Sequence, residues 1–227
     1  GTTTLVEATL PVGYTISDNN WKVMSFNNDV YFYQSGHQPL ESVAGSTTLV
    51  GLTSTGGNSA PQGNEVLAAF GRVWTCDLAD NKYVVYWSSL LAGDDWHGGS
   101  SGSVDLTTVW PTGFDEVVSL AEHNGFLIIF GKKSIIIYTG AESPSSDLKL
   151  HDTIEGVGCV ARDSVQSTGS DLFFLSSRGV MSLGRVVQEK SLPLNDISKN
   201  VRSDLLQTLS QETHANGHRE AIKSIYS

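Results

Sequence analysis

Basic residues, cysteine and long apolar runs are all scarce in this chain, and each shortage removes a class of function. Lys and Arg number 14 against 24 Asp and Glu, for a net charge of −10 over 227 residues. A protein that grips nucleic acid draws much of its affinity from Lys and Arg neutralising phosphates, so this balance argues against such a role. The deficit is uneven: residues 1–131 hold 3 basic and 13 acidic residues, and 132–227 hold 11 of each. A net-acidic surface suits one that nucleic acid must pass without sticking. Two cysteines, Cys76 and Cys159, lie far apart and lack metal-ligand spacing; they are expected as buried free thiols of a chain made in a reducing cytoplasm. No stretch approaches the ~18 apolar residues of a membrane helix. No leader pattern is visible, and the start at Gly1-Thr2-Thr3-Thr4 suggests an N-terminus that is not the natural one.

What the chain has in quantity is turn chemistry. It carries 23 Gly with frequent Ser, Thr and Asn, 39% apolar residues and only 17% charged ones. Scattered β-branched and aromatic residues between such turn formers predict short strands joined by tight connections.

One pattern recurs: an apolar strand, a polar turn and a second apolar strand. The copies are Trp21–Phe26 with Val30–Tyr33, Glu65–Phe70 with Val73–Cys76, Val117–Ala121 with Phe126–Phe130, and, more faintly, Asp163–Ser167 with Leu172–Leu175. A further arm follows the last three, at Lys82–Trp87, Ser134–Tyr138 and Gly179–Leu183. Aligned at Val30, Val73, Leu127 and Leu172, the second strands are 43, 54 and 45 residues apart. That is near the ~40–50 residues of a four-stranded propeller blade, and the Gly/Ser-rich stretch Ala92–Ser103 accounts for the long interval. Strands such as Phe126–Phe130 and Ile135–Tyr138 are apolar on both sides, as in sheets stacked on sheets. The reading is therefore all-β: about four propeller blades over 1–194, part of a larger propeller. A two-sheet sandwich is the alternative, and it should alternate more cleanly.

One segment departs from the strand pattern. Asn195 is a good N-cap, and Ile197, Val201, Leu205 and Leu209 recur at helical spacing, which predicts an inserted amphipathic helix over 195–209. The stretch 211–227 reads as a polar loop and then a strand at 221–226 that begins just as the chain ends, which suggests a fold that continues beyond it.

No chemical motif survives scrutiny. Asp77, Asp80, Asp94 and Asp95 are expected as solvated turn residues rather than the paired carboxylates of a glycosidase. His97 has no adjacent nucleophile in the sequence and no second His at metal spacing. His123, in a hairpin turn, and His214 and His218, flanking a polar loop, do not pair convincingly. Ser103–Trp110 lacks the glycine that an Asp-box turn needs, and Gly93-Asp94-Asp95 lacks the alternating oxygen ligands of a calcium loop. No catalytic residue, metal or cofactor is expected. Trp74 and Trp87 lie inside strands and are expected in the core. Trp96 and Trp110, in or beside loops, are the best candidates for an interface, with a neighbouring subunit favoured over a sugar.

The run from Phe114 to Tyr138 (FDEVVSLAEHNGFLIIFGKKSIIIY) resembles the tail tubular protein B, or nozzle, family of short-tailed bacteriophages. Gly71–Trp74, Tyr86–Leu90, Ile154–Val165 and Ser176–Arg185, leading to Asp196–Val201, are similar to that family as well, so the likeness spans roughly 65–205. It implies a structural virion protein built around a β-propeller. It further implies six copies in a ring at the distal end of the tail tube, below the adaptor, near the fibre attachment points, and with DNA leaving through the lumen. Such a protein is assembled in the host cytoplasm and ends in the virion. On that reading some carboxylates of 1–131 face the lumen and repel passing phosphates. A carbohydrate-binding or carbohydrate-active propeller of a receptor-binding tail protein is the second reading, and an unrelated bacterial scaffold propeller the third.

Overall fold

The structure, a computed structural model, describes residues 6–16, 20–54, 59–111, 113–189, 201, 203–205, 207 and 224. Its strands form four antiparallel sheets, each following the chain without crossovers. The first holds β1 (Lys22–Phe26), β2 (Asp29–Tyr33), β3 (Leu40–Ser42) and β4 (Val50–Gly51). The second holds β5 (Gly63–Ala69), β6 (Arg72–Leu78), β7 (Val84–Trp87) and β8 (Gly102–Asp105). The third holds β9 (Val117–His123), β10 (Phe126–Gly131), β11 (Ser134–Thr139) and β12 (Lys149–Glu155). The fourth is a three-stranded sheet of β13 (Gln166–Ser167), β14 (Leu172–Ser176) and β15 (Gly179–Ser182).

Turn chemistry sets these meanders. Both turn residues have positive φ at Asn27-Asn28 (49° and 74°), Phe70-Gly71 (55° and 66°) and Asn124-Gly125 (51° and 78°). Paired positive φ is the type I′ signature, whose twist matches that of the flanking strands. Asn and Gly accept it readily, whereas Phe70 is a strained choice. The second turn therefore falls at Phe70-Gly71, one residue earlier than the Gly71-Arg72 expected from sequence, and Arg72 belongs to β6.

Two compact units divide the described fold: residues 1–81 with 85–104, and residues 82–84 with 105–227. In the first unit, Tyr31 and Tyr33 of β2 pack with Val66 of β5, Val73 of β6 and Trp96. The first strands of the two sheets approach each other, β1 lying along β5. There Lys22 Nζ bonds Glu65 Oε2 at 2.9 Å, and the Glu65 side chain is only 2% exposed. In the second unit, Ile128, Phe130, Ile135 and Ile137 pack with Leu172, Phe174 and Met181 of the fourth sheet. Phe130 and Phe174 meet at a ring separation of 5.0 Å. A 3-10 turn, Arg162–Ser164, which leads into β13, lies against β9. The first unit thus brings its sheets together at their first strands, and the second packs its sheets through β10, β11 and β14.

Three middle strands, β6, β10 and β11, are buried on both faces. Val73, Trp74, Thr75 and Cys76 in β6 are fully enclosed, as are Leu127, Ile129 and Phe130 in β10 and Ile135 and Ile136 in β11. Their continuous apolar runs, rather than an alternating pattern, are what such double burial demands. Trp74 and Trp87 are core residues as expected, and Cys76 and Cys159 are buried thiols outside any disulfide.

Several elements carry no strong sequence signal. Strands β3, β4, β8 and β12 have mostly intermediate or exposed residues and no apolar run. Two helices were not expected: the single turn α1 (Pro144–Asp147) and α2 (Leu183–Glu189), which starts where a strand was read to end. Of the helix expected over 195–209, residues 203–205 and 207 are helical, with a Leu205 N–H to Val201 C=O bond of 3.0 Å. Leu205 rests on Ala161 and Leu175, as the apolar stripe requires. The rest of that helix lies outside the described residues, as does the strand expected at 221–226 apart from Ser224, whose N–H donates to Asp163 C=O at 2.9 Å.

Phe174 is 1% exposed between two sheets, and its removal leaves a void that facing strands cannot close. Phe174→Ala is expected to lower stability by about 3–5 kcal/mol, read as a shift in urea midpoint with unchanged slope.

Candidate functional site

The Gly/Ser-rich segment between β7 and β8 is an organised loop, and Arg72 organises it. The Arg72 guanidinium, in a residue 2% exposed, donates from Nη1 to Ser88 C=O (2.9 Å), Ser100 C=O (3.1 Å) and Ser100 Oγ (2.8 Å). Burial lowers its pKa. Trp87 Nε1 donates to Ser100 C=O at 3.0 Å, and Ser89 Oγ to Gly98 C=O at 2.7 Å. Asp95 Oδ1 accepts from Gly98 N–H at 2.9 Å and closes the tip. The loop presents Leu90 and Leu91 outward, 54% and 63% exposed.

Both tryptophans proposed as interface residues turn inward. Trp96 is 6% exposed and packs with Tyr31, Val66 and Val73, its own N–H bonded to Ser54 Oγ at 2.9 Å. Trp110 is 4% exposed, with its ring over Gly131, a position where any side chain would strike Trp110 and Asp115. Neither indole offers a face to a partner. Their ring N–H groups are buried without a hydrogen-bond partner in the described structure. Proximity to loops was a poor guide because each loop folds its indole back over a sheet.

His97 does acquire a hydroxyl neighbour that the sequence could not reveal. Its Nδ1 lies 2.9 Å from Ser54 Oγ, 43 residues earlier. Ser54 is 3% exposed and its oxygen already accepts the Trp96 N–H, so the pair fastens the loop rather than presenting a nucleophile. Asp95 is likewise a loop clasp. No group of three metal-ligating side chains exists among the described residues.

Two acidic features are structural. Asp115, 3% exposed, accepts the N–H groups of Glu116 (2.9 Å), Lys132 (3.1 Å) and Lys133 (2.8 Å). It caps the β10–β11 turn, where the lysines lack the positive φ of the Asn-Gly turns. Asp171 plays a related part: it accepts from Leu172 N–H (2.8 Å), Gly184 N–H (2.9 Å) and the Ser182 hydroxyl, fastening α2 to β14. Glu65 and Asp115, both among the 13 acidic residues of 1–131, are interior and unable to face a channel.

Around Tyr31 the carboxylates crowd. Burial raises the Glu41 pKa, a hydrogen bond from Tyr31 pulls it down, and Asp29 and Asp94 push it up again. The Tyr31 hydroxyl is held well above its usual range, by burial first and then by Glu41.

The second unit holds a cavity of about 300 Å³ between the third sheet and α2. Ile128, Ile137, Leu183 and Val187 form an aliphatic floor, and His123, Asn124, His151, Asp152 and Gln188 form the rim. Phe126 stacks on His151 at 4.7 Å. Of these residues the sequence singles out His123 alone, because the start of α2, which closes the cavity, reads as the end of a strand.

No protein-family model matches the chain, and no curated protein matches it.

Two substitutions read these assignments. Asp115→Asn leaves one backbone N–H facing an amide donor and is expected to cost about 1.5–3 kcal/mol. By contrast Glu116→Gln, which breaks only the exposed pair with Lys132 (2.6 Å), is expected to cost under about 1 kcal/mol, both by urea unfolding. For Glu41 the raised pKa means that the folded state holds the proton more tightly than the unfolded chain. Its stabilising share is fully present below the unfolded value of about 4.3 and is lost as pH rises through the folded value. Glu41→Gln is therefore expected to gain stability over the parent at pH 7 and to lose that advantage towards pH 4.

Proposed function

We propose that the chain is a structural segment of a phage tail nozzle subunit, its four sheets serving as successive blades of a β-propeller. The observation that carries this reading is the series itself. Four meanders follow one another along the chain, strands β6, β10 and β11 are buried on both faces, and β1 lies along β5 where the first two sheets meet. A sandwich has one buried and one wet face per sheet; blades stacked about an axis are covered on both sides and converge at their inner strands. The likeness of residues 65–205 to nozzle proteins supplies the biological setting. It brings with it the ring of six copies, contact with the adaptor and tail fibres, a place in the virion after assembly in the host cytoplasm, and transient, non-specific passage of DNA through the lumen.

A wall protein needs stiffness and no chemistry, and the polar side chains that looked chemical in sequence fit that role. Asp95, His97 and Asp115 each close a loop or turn. The glycan-binding alternative loses its platform, since Trp96 and Trp110 are interior. Exposed Glu7, Asp80, Asp94, Asp105 and Glu122 remain as carboxylates that a DNA-conducting lumen would use to repel phosphates.

The test is location. Antibody raised against the chain is expected to label intact short-tailed virions at the distal tail tip, with tail genes flanking the full reading frame. Labelling of no virion component, or hydrolysis of polysaccharide by the purified chain, would overturn the reading.

A further inference from the structure

Strand register builds the cavity between the third sheet and α2, and every residue that lines it belongs to the second unit. Ile128 faces Ile137 across β10 and β11, and Ile137 faces Asp152 across β11 and β12. The three side chains therefore form one row on one face of the sheet. Phe126 faces His123 in the neighbouring row. Pairing of β11 with β12 skips from Asp152 to Leu150, and this bulge lets the His151 ring lie 4.7 Å from that of Phe126. Helix α2 supplies the opposite wall, where Leu183 and Val187, like Gly184 and Gln188, are one helical turn apart and share a face.

Depth and mouth differ in chemistry. Ile128, Ile137 and Leu183 are buried, and Val187 is half-buried, so the depth of the slot is aliphatic. Water held against such walls makes few hydrogen bonds, and an apolar body of matching size releases it. The volume of about 300 Å³ stands at the small end of ligand sites and suits a branched alkyl group. Polar groups at the mouth decide the other end of the ligand. Half-buried Asp152 is the carboxylate there, and a carboxylate only accepts hydrogen bonds. Its Oδ1 accepts the Thr153 N–H at 2.9 Å. Asn124 and Gln188 each add an amide oxygen, and Asn124 Nδ2 lies 3.1 Å from His123 Nε2. An ammonium carries three donors, no acceptor and the charge opposite to that of Asp152. The net charge of −10 draws cations to the molecule as a whole. Arg185 lines the adjoining depression rather than this slot, and the Asp171 carboxylate stands there with it.

We propose that this cavity binds a small primary amine, its branched alkyl body seated among Ile128, Ile137, Leu183 and Val187 and its ammonium bonded to Asp152. The site lies within one unit of one chain, so it stands or falls independently of the nozzle reading.

Titration of the full chain with isoamylamine, followed by proton NMR of the ligand, tests the site against two probes with the same alkyl body, isoamyl alcohol and isovalerate. Isoamylamine is expected to saturate a single site per chain. Isovalerate, whose carboxylate meets that of Asp152, is expected to bind at least about tenfold more weakly. Asp152→Asn is expected to cost isoamylamine about tenfold in affinity and to leave isoamyl alcohol within about twofold, a split that general damage to the cavity would not produce. Val187→Trp fills the slot and is expected to abolish binding of all three probes. Should that variant lose the parent's circular dichroism, Gln188→Trp closes the mouth from an exposed rim position. The proposal is overturned if isoamylamine fails to saturate, if isovalerate matches it, or if Asp152→Asn keeps the parent's affinity for the amine. Binding that survives in a folded cavity-filling variant overturns it as well.

Discussion

A strand that is apolar on both faces has to be covered twice, and the rest of this fold follows from that constraint. Leu127, Ile129 and Phe130 in β10, with Ile135 and Ile136 in β11, leave no face for water. A single sheet built on them would be insoluble, so sheets must come in series. The series then fixes where polar groups belong. Charged side chains inside it survive only with partners in place, as Glu65 does with Lys22 and as Asp115 does with three backbone N–H groups. The remaining carboxylates are driven to loops and outer strands, which is why an acidic chain can have an interior so poor in charge.

The same constraint separates what was legible in the sequence from what was not. Inner strands could be read because double burial demands unbroken apolar runs, and the turns at Asn27-Asn28 and Asn124-Gly125 announce themselves through residues that accept positive φ. Outer strands such as β4 and β8 pair by backbone alone on a partly wet surface, so their side chains carry little signal. Helix α2 was missed because its first residue, Leu183, completes an apolar strand pattern, and its anchor, Asp171, lies twelve residues earlier in a turn. The tryptophans mark a different limit. Position beside a loop says nothing about which way an indole points when the loop folds back, and Trp96 and Trp110 both cover the sheet beneath them.

The candidate site was the least legible part. Arg72 stands in the sequence as a lone basic residue after a turn, and its three bonds to Ser88 and Ser100 depend on a loop closing 28 residues later. Ser54 and His97 meet across 43 residues, and the cavity beneath α2 joins side chains from one sheet and a helix. Only tertiary structure brings such groups together. What the sequence did carry was turn chemistry: Asp95, read as a turn residue, accepts the Gly98 N–H and closes its loop.

Each sheet here is a meander of consecutive strands, so most of its pairings join residues close in the chain. Contacts of that kind form early and cheaply as a polypeptide grows, and within each unit two successive sheets share one core. The architecture therefore resembles masonry laid in courses. A flaw in one course loosens the sheet that shares its core, and the damage stays local.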